Sequence, residues 1–446
     1  MTFSHTPQEY HRAAALSTRR AVARCAVGAA VILLSLAACA TARGAATGPA
    51  GKGESPGYDP ERAATLAVSV PDRAVSADFG SGEGSELGSE VREAEVTLQC
   101  LLPTALSYPD TVRAPVGELH AFVESIVLVA APSGPRPDLI AEVEAGRRVV
   151  ANMAWWSPDR DDATAALQAA VDSGARAVVV PAAEEPWQIR PVELRGDLVL
   201  VLEAGAVLEA KEGAYLARND VMFSTADSQS ILIWGYGATL RMRKTAYSSA
   251  PYGESEYRHA LRFRSVRDVG IYGVRVQDAG GDGIYIGRSR NGAPYSENVV
   301  IRDVRLERGN RQGLSVVSAR RMLIAGSTFA ATKGTLPQAG IDFEPNRPDE
   351  RLEDIVVRDS LFVGNRGAGI QFFLWNMTAE SVPISVRIES STMRQNLLDF
   401  YVAPAGGNPS GRIVVSDSQI GWRRWVRTPG GLEIAYEDSL RDNPNR

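Results

Sequence analysis

From residue 269 onward the chain alternates apolar and polar positions in short runs that return at a near-constant interval. VGIYGVRV (269–276), VVIRDVRL (299–306), MLIAGSTF (322–329), IVVRDSLF (355–362), VRIESSTM (386–393) and IVVSDSQI (413–420) align without gaps. Their third positions, Ile271, Ile301, Ile324, Val357, Ile388 and Val415, are 30, 23, 33, 31 and 27 residues apart. Alternation with period two over such short runs predicts half-buried strands. A repeat of this length predicts a solenoid, one coil per repeat, whose hydrophobic faces are buried only by stacking on their neighbours. Leucine-rich repeats and propeller blades have overlapping periods, but neither a Leu/Asn consensus nor a repeating four-strand blade is present. A second strand follows in most coils: GIYIG after Asp282, GLSVV after Gln312, GIDFE after Ala339 and GIQFF after Ala368. The spacing from the last apolar residue of the first strand to the Gly of the second is 7 in three coils and 11 in the fourth, which carries the insert Lys333-Gly334-Thr335-Leu336-Pro337. That insert is expected to stand beside a cleft.

Upstream, DDATAALQAAVDSGARAVVVP (161–181) changes period: apolar residues at helical spacing after a capping Asp, a Gly stop, then a β-branched run ending at Pro181. This predicts a helix followed by a strand. Trp155, Trp156 and Trp187 flank it and are expected to seal that end. The unit resembles the opening of β-helices of the pectate lyase, or pectin-lyase-like, superfamily, in which an amphipathic helix plugs the open cross-section of the solenoid. The resemblance covers about 161–425 and is to uncharacterised right-handed β-helix proteins more than to any assayed enzyme. It implies an all-β fold: a right-handed parallel β-helix over 151–425 with an N-terminal capping α-helix, followed by a tail (426–446). Residues 64–150, with EVTLQCLL, AFVESIVLVAA and a short helix at DLIAEVEAG, are expected to form a small β-rich region or a cap.

The first residues are polar and basic, and AVGAAVILLSLAA (26–38) is an apolar run too short to span a bilayer comfortably, so 1–38 reads as a signal peptide. Leu36-Ala37-Ala38-Cys39 resembles the bacterial lipobox, which implies acylation of Cys39, an ordinary signal peptide being the alternative. Thr18-Arg19-Arg20 is similar to a twin-arginine signal. Residues 39–63 read as a Gly/Ala/Pro/Ser-rich tether. The chain is therefore expected outside the cytoplasm, lipid-anchored at the cell or outer membrane and facing the periplasm or the cell surface. Cys25 leaves with the leader and Cys39 is acylated, so Cys100 is left alone and no disulfide framework can form. Stability must come from the core, which 446 residues with 44% hydrophobic content can supply. Removing 1–38 takes away four arginines and one glutamate, so the formal charge goes from −5 to −5 − (4 − 1) = −8. That argues against nucleic acid as a partner. Only His120 and His259 remain beyond the leader, so no histidine-rich metal centre is expected.

Strand side chains alternate faces, which puts Ile284/Ile286, Leu314/Val316, Ile341/Phe343 and Ile370/Phe372 inside and their neighbours outside. One outward column reads Tyr285, Ser315, Asp342, Gln371 and the next Gly287, Val317, Glu344, Phe373, with Asp282, Arg311 and Gln312 at the turn before them. Asp342 and Glu344, two apart on one strand, have Cα atoms roughly 6.5–7 Å apart. This suits inverting glycoside hydrolysis, in which one carboxyl protonates the leaving oxygen and the other activates water. Asp282 is a third acid, a sugar-hydroxyl ligand, or an aspartate bonding its own turn before Gly283. Tyr285, Arg311, Gln312 and Gln371 are candidate binding residues. Trp375 is a candidate stacking platform, with edge packing as its alternative. The placement resembles polygalacturonase-type β-helices, and Asp282-Gly283-Ile284 matches a fragment of their motif, while their Gly-His-Gly and Arg-x-Lys elements are absent. The expected partner is a polysaccharide and the first expectation a glycoside hydrolase. The second is a lyase or uronate epimerase with Tyr257 and His259 as acid and base and Arg311 neutralising a uronate, as in alginate epimerases and some lyases on this fold, the alternative for His259 being a lone histidine satisfied by backbone near a strand start. The third is a noncatalytic glycan-binding or surface structural protein. No cofactor is expected, except that Asp342 and Glu344 could hold calcium. Arg288, Arg290, Arg302, Arg305, Arg308 and Arg311 form a local basic stretch that could bind an anionic glycan or serve solubility.

Overall fold

The computed structural model describes residues 95–97, 127–129, 135–403, 406–428 and 430–441. The leader with Cys39, the tether and Cys100 lie outside the described residues. Among the described residues three long sheets, of 11, 10 and 9 strands, run beside one another, each strand bonded to its counterparts one coil earlier and one coil later. One coil comprises Arg267–Tyr272 in the first sheet, Arg275–Gln277 in the second and Ile284–Gly287 in the third. Each of these pairs in parallel with the next coil. This is the parallel β-helix anticipated from the repeat.

The eight-residue runs are not single strands. Each bends in the middle and delivers its two halves to different sheets, as Arg267–Tyr272 and Arg275–Gln277 do. The bend residues, Gly273, Asp303, Gly326, Asp359, Ser390 and Asp417, all have φ between 47° and 67°. That left-handed region is open to glycine and, among other residues, most readily to short polar side chains that bond locally. After the bend a buried serine recurs. Ser327, Ser360, Ser391 and Ser418 each donate to the carbonyl two residues back, at 2.8 Å. The hydroxyls of Ser360, Ser391 and Ser418 accept the amides of Ser327, Ser360 and Ser391.

Inside, the predicted core residues stack coil on coil. Ile284, Leu314, Ile341 and Ile370 are in register and fully buried. Phe343 lies on Phe372 with ring centroids 4.6 Å apart, and Phe329 lies on Phe362 at 4.8 Å and an interplanar angle of 4°. Offset ring pairs of this kind add stability beyond their buried area. The capping helix spans Thr164–Asp172 and buries Ala166, Leu167, Ala170 and Val171. Its cap position is Ala163, and Asp162 accepts from the Thr164 hydroxyl one position further in. Trp155 and Trp187 are buried at this end, the latter donating to the Pro181 carbonyl. The short helix in DLIAEVEAG is Pro137–Glu144, and Glu95–Thr97 pairs antiparallel with Val127–Val129. At the other end the ladders do not stop at 425: Gly431–Glu437 and Leu440–Arg441 continue the first and second sheets into the stretch expected to be a tail. No described helix is long and apolar enough to cross a membrane.

Candidate functional site

The third sheet carries the outward column anticipated from the alternation. Cross-strand register aligns Ser224, Arg262, Tyr285, Ser315, Asp342, Gln371, Tyr401 and Trp425 in one line. Asp282 and Arg311 come from the turns that lead into these strands, and Gln312 opens the strand Gln312–Val316. The turn of Gly280-Gly281-Asp282-Gly283 passes so close to the preceding coil that a Cβ at Gly281 would fall 2.9 Å from His259 Nδ1 and 2.4 Å from the Glu256 carbonyl. This close approach lets the Asp282 amide donate to His259 Nδ1, at 3.0 Å.

Arg311 is the hub. Its guanidinium lies 2.8 Å from Glu344, 3.2 Å from Glu256 and 3.6 Å from Asp282. It also donates to Gln312 Oε1 at 3.1 Å, and Gln312 Nε2 donates to Asp342 at 2.5 Å. Ser315 donates to the same Gln312 oxygen. Asp282, Asp342, Glu344, Arg311, Gln312 and Ser315 thus form one connected network. The middle of this outward column is not open to water. Asp282 and Asp342 are fully buried and Glu344 is 5% exposed, and Arg311 is buried with them.

Burial sets the electrostatics. Three carboxylate oxygens, both of Asp282 and Oδ1 of Asp342, are shielded from water without a hydrogen bond among the described residues. An ionised carboxylate in that position is costly, so burial favours the protonated form. Burial, opposed by Arg311, pushes Asp282 up to about 7. Burial and the neighbouring Glu344 drive Asp342 well above the usual carboxylate range. Burial, followed by the cations Arg311 and Arg262, holds His259 well below its ordinary value. His259 lies 3.3 Å from Asp282, but its Nδ1 accepts an amide proton, so the contact is that of a neutral imidazole and not of an ion pair. Its ring stacks on Tyr285 at 5.2 Å.

Tyr257 is 42% exposed and meets His259 edge-on at 6.4 Å. Gln371 flanks Asp342 in register. Trp375 is 48% exposed in the turn after the Gln371 strand. The basic stretch disperses: Arg302, Arg305 and Arg308 bond acids away from this sheet, Arg288 bonds Asp349, and only Arg311 enters the network. Two participants were not foreseen as site residues. Glu256 sits in a polar loop with no periodic signal, whereas Arg262, on the same column, follows from the alternation of Leu261–Arg264. Among the described residues no group of three or more His, Cys, Asp or Glu side chains is arranged to hold a metal ion. A cavity of about 480 Å³ lined by Gln168, Asp172, Glu193 and Arg195 lies at the capping helix, apart from the carboxylates.

No family model matches the chain, and no curated protein does. Solved structures that align with it include an iota-carrageenase complexed to iota-carrageenan fragments, 10% identical over 66% of this chain and 89% of that one, TM-score 0.48. A polygalacturonase from Erwinia carotovora ssp. carotovora is 12% identical over 71% and 95%, TM-score 0.47. The Streptococcus pneumoniae surface protein and adhesin PfbA is 13% identical over 66% and 98%, TM-score 0.41. None of these likenesses assigns an activity.

Proposed function

We propose that the chain acts on a polysaccharide laid along the outer face of the third sheet, and that it is a glycoside hydrolase. A solenoid offers an extended, regularly spaced surface, and here one line of eight outward positions crosses the strands, suited to a linear polymer. The observation that carries the hydrolase reading is the contrast in surroundings between two neighbouring carboxyls. Asp342 keeps its proton because of burial and the charge of Glu344, while Glu344 is bonded to Arg311. Two neighbouring carboxyls in such different surroundings can divide the work of acid and base. Asp342 is the general acid. Glu344 activates water, and Asp282, poised at about 7, assists or bonds a sugar hydroxyl. Substrate must displace the Arg311–Glu256 contact to reach them, and Arg311, Gln312, Gln371 and Tyr285 then bind it. A second reading, a lyase or epimerase, is favoured by one observation: His259 is neutral and lies beside Tyr285 and Tyr257, and it could serve as a base once its Nδ1 gives up the Asp282 amide.

The test is a polysaccharide panel with the chain from residue 40 onward, following reducing ends and ultraviolet absorbance beside an Asp342→Asn/Glu344→Gln variant. Reducing ends from the parent alone support the hydrolase. Absorbance that survives the double variant moves the chemistry to His259, and silence across the panel leaves a binding protein. We further propose that Cys39 carries a lipid that tethers the protein to the cell envelope. Cys39→Ser should then shift it from the membrane to the soluble fraction.

A further inference from the structure

Along the outward column the character of the side chains changes from end to end. The carboxylates stand in the middle, Tyr401 and Trp425 lie on the C-terminal side, and Arg262 lies on the N-terminal side. Arg262 and Arg264 are two apart on the strand Leu261–Arg264, so both project from its outer face, in register with Tyr285 and Gly287. Among the described residues neither has a carboxylate within ion-pair distance, in contrast to Arg288, Arg302, Arg305, Arg308 and Arg311. The Nε of each is shielded from water with no acceptor. Arg262 has one weak backbone partner, the Asn219 carbonyl at 3.4 Å. Nearby acids are engaged elsewhere: Asp220 accepts from the Ala217 amide and Asp227 from Ser289. Burial, then the adjacent Arg264, push Arg262 down from its ordinary value, opposed by Tyr285 and Asp220, so the two cations are held together with only distant counter-charge.

We infer that Arg262 and Arg264 form an anion subsite that binds a carboxylate or sulfate group of the glycan, on the N-terminal side of Asp342. Three ladder steps of about 4.8 Å put it roughly 14 Å from Asp342, far enough to hold a different residue of the polymer from the one undergoing reaction. Planar guanidinium forks suit both oxyanions. The subsite rests on the reading of this face as a polysaccharide site but not on hydrolysis.

The experiment measures binding to an Asp342→Asn form of the full mature chain, so that the ligand is not consumed. The ligands are a polyuronate, a sulfated galactan and a neutral galactan of matched length, at ~50 and ~200 mM salt. The expected result is a preference for one anionic polymer that weakens at the higher salt. Arg262→Gln/Arg264→Gln should weaken that polymer at least ~10-fold, and Arg262→Lys/Arg264→Lys should recover part of the loss. Which polymer responds identifies carboxylate or sulfate. Equal binding of the neutral galactan, or unchanged affinity in a folded Gln pair, would overturn the inference. If the Gln pair fails to fold, the unsubstituted arginines decide: anionic affinity insensitive to salt overturns the subsite, and a clear salt dependence retained by the Lys pair supports it. Should the panel show no hydrolysis while the Gln pair loses the anionic polymer, the hydrolase reading falls and the subsite stands. The reverse pattern removes the subsite alone.

Discussion

The serine corner and the outward column run side by side up the same solenoid and solve the burial of polar atoms in opposite ways. At the corner, coil after coil repeats one residue: Ser327, Ser360, Ser391 and Ser418 are buried, and each hydroxyl donates to a carbonyl. On the column no residue recurs in adjacent coils from Arg262 to Trp425, and Asp282 and Asp342 are buried with oxygens that lack a hydrogen bond among the described residues. Repetition with full satisfaction is what stability requires of a stacked fold. A run of non-repeating polar residues, held at a cost in stability, points to a role other than folding.

The largest expected effect breaks the column without touching the corner. If Asp342 is the general acid, Asp342→Asn removes the proton from the leaving-group oxygen, and kcat should fall by about 10²–10⁴ in a reducing-end assay. The fold should be intact by circular dichroism, because Asn can still accept from Gln312. A loss below tenfold would return Asp342 to the role of a buried structural group.

Next in size is a pH effect. Asp282 titrates near 7 in the folded protein against 3.8 unfolded, so the folded state binds the extra proton between those values. Stability is fully present below about 4 and declines as pH rises through about 7, by up to about 4 kcal/mol from this group. Asp342 and Glu350, both raised, act in the same direction, whereas His259, held low, opposes them below its unfolded value of 6.5. Thermal melts should therefore fall between pH 5 and pH 8, and Asp282→Asn should shrink the fall. A midpoint that rises over that range would contradict the assignment of the proton.

The corner offers the counterpart. Ser360→Ala removes the acceptor of the Ser327 amide and should cost about 1–3 kcal/mol in urea unfolding, because a buried N–H is left unpaired. This corner also marks the limit of what the chain makes legible. The coils, the inward stack and the outward column followed from alternation and period alone. The bend did not, because the left-handed residue is Gly, Asp or Ser by turns and interrupts the apolar pattern for only one position, as at Gly326-Ser327 and Asp359-Ser360. On the column, the outward placement of Asp342 was legible from strand parity, while Glu344 lies one residue past the strand end. The Arg311–Glu256 contact was not legible, since the two meet across two coils and no local pattern encodes a contact between a turn and a loop.

The smallest effect separates two roles for one aromatic residue. Phe362 is wholly inside and stacked on Phe329, whereas Trp375 is 48% exposed. Its carbonyl accepts from the Gly406 amide, and the next residue, Asn376, donates to the Pro345 carbonyl, so the turn is held without the indole. Trp375→Ala should then change stability by less than about 0.5 kcal/mol, the range of surface substitutions free of special features. If the ring is a platform for sugar, glycan affinity should drop by a few fold, on the order of 0.5–1.5 kcal/mol for one aromatic face. A loss of stability above about 1 kcal/mol with affinity unchanged would place Trp375 with the packing residues. The aromatic surface for sugar would then have to be Trp425, which meets the buried Tyr401 edge-on at 6.5 Å further along the column.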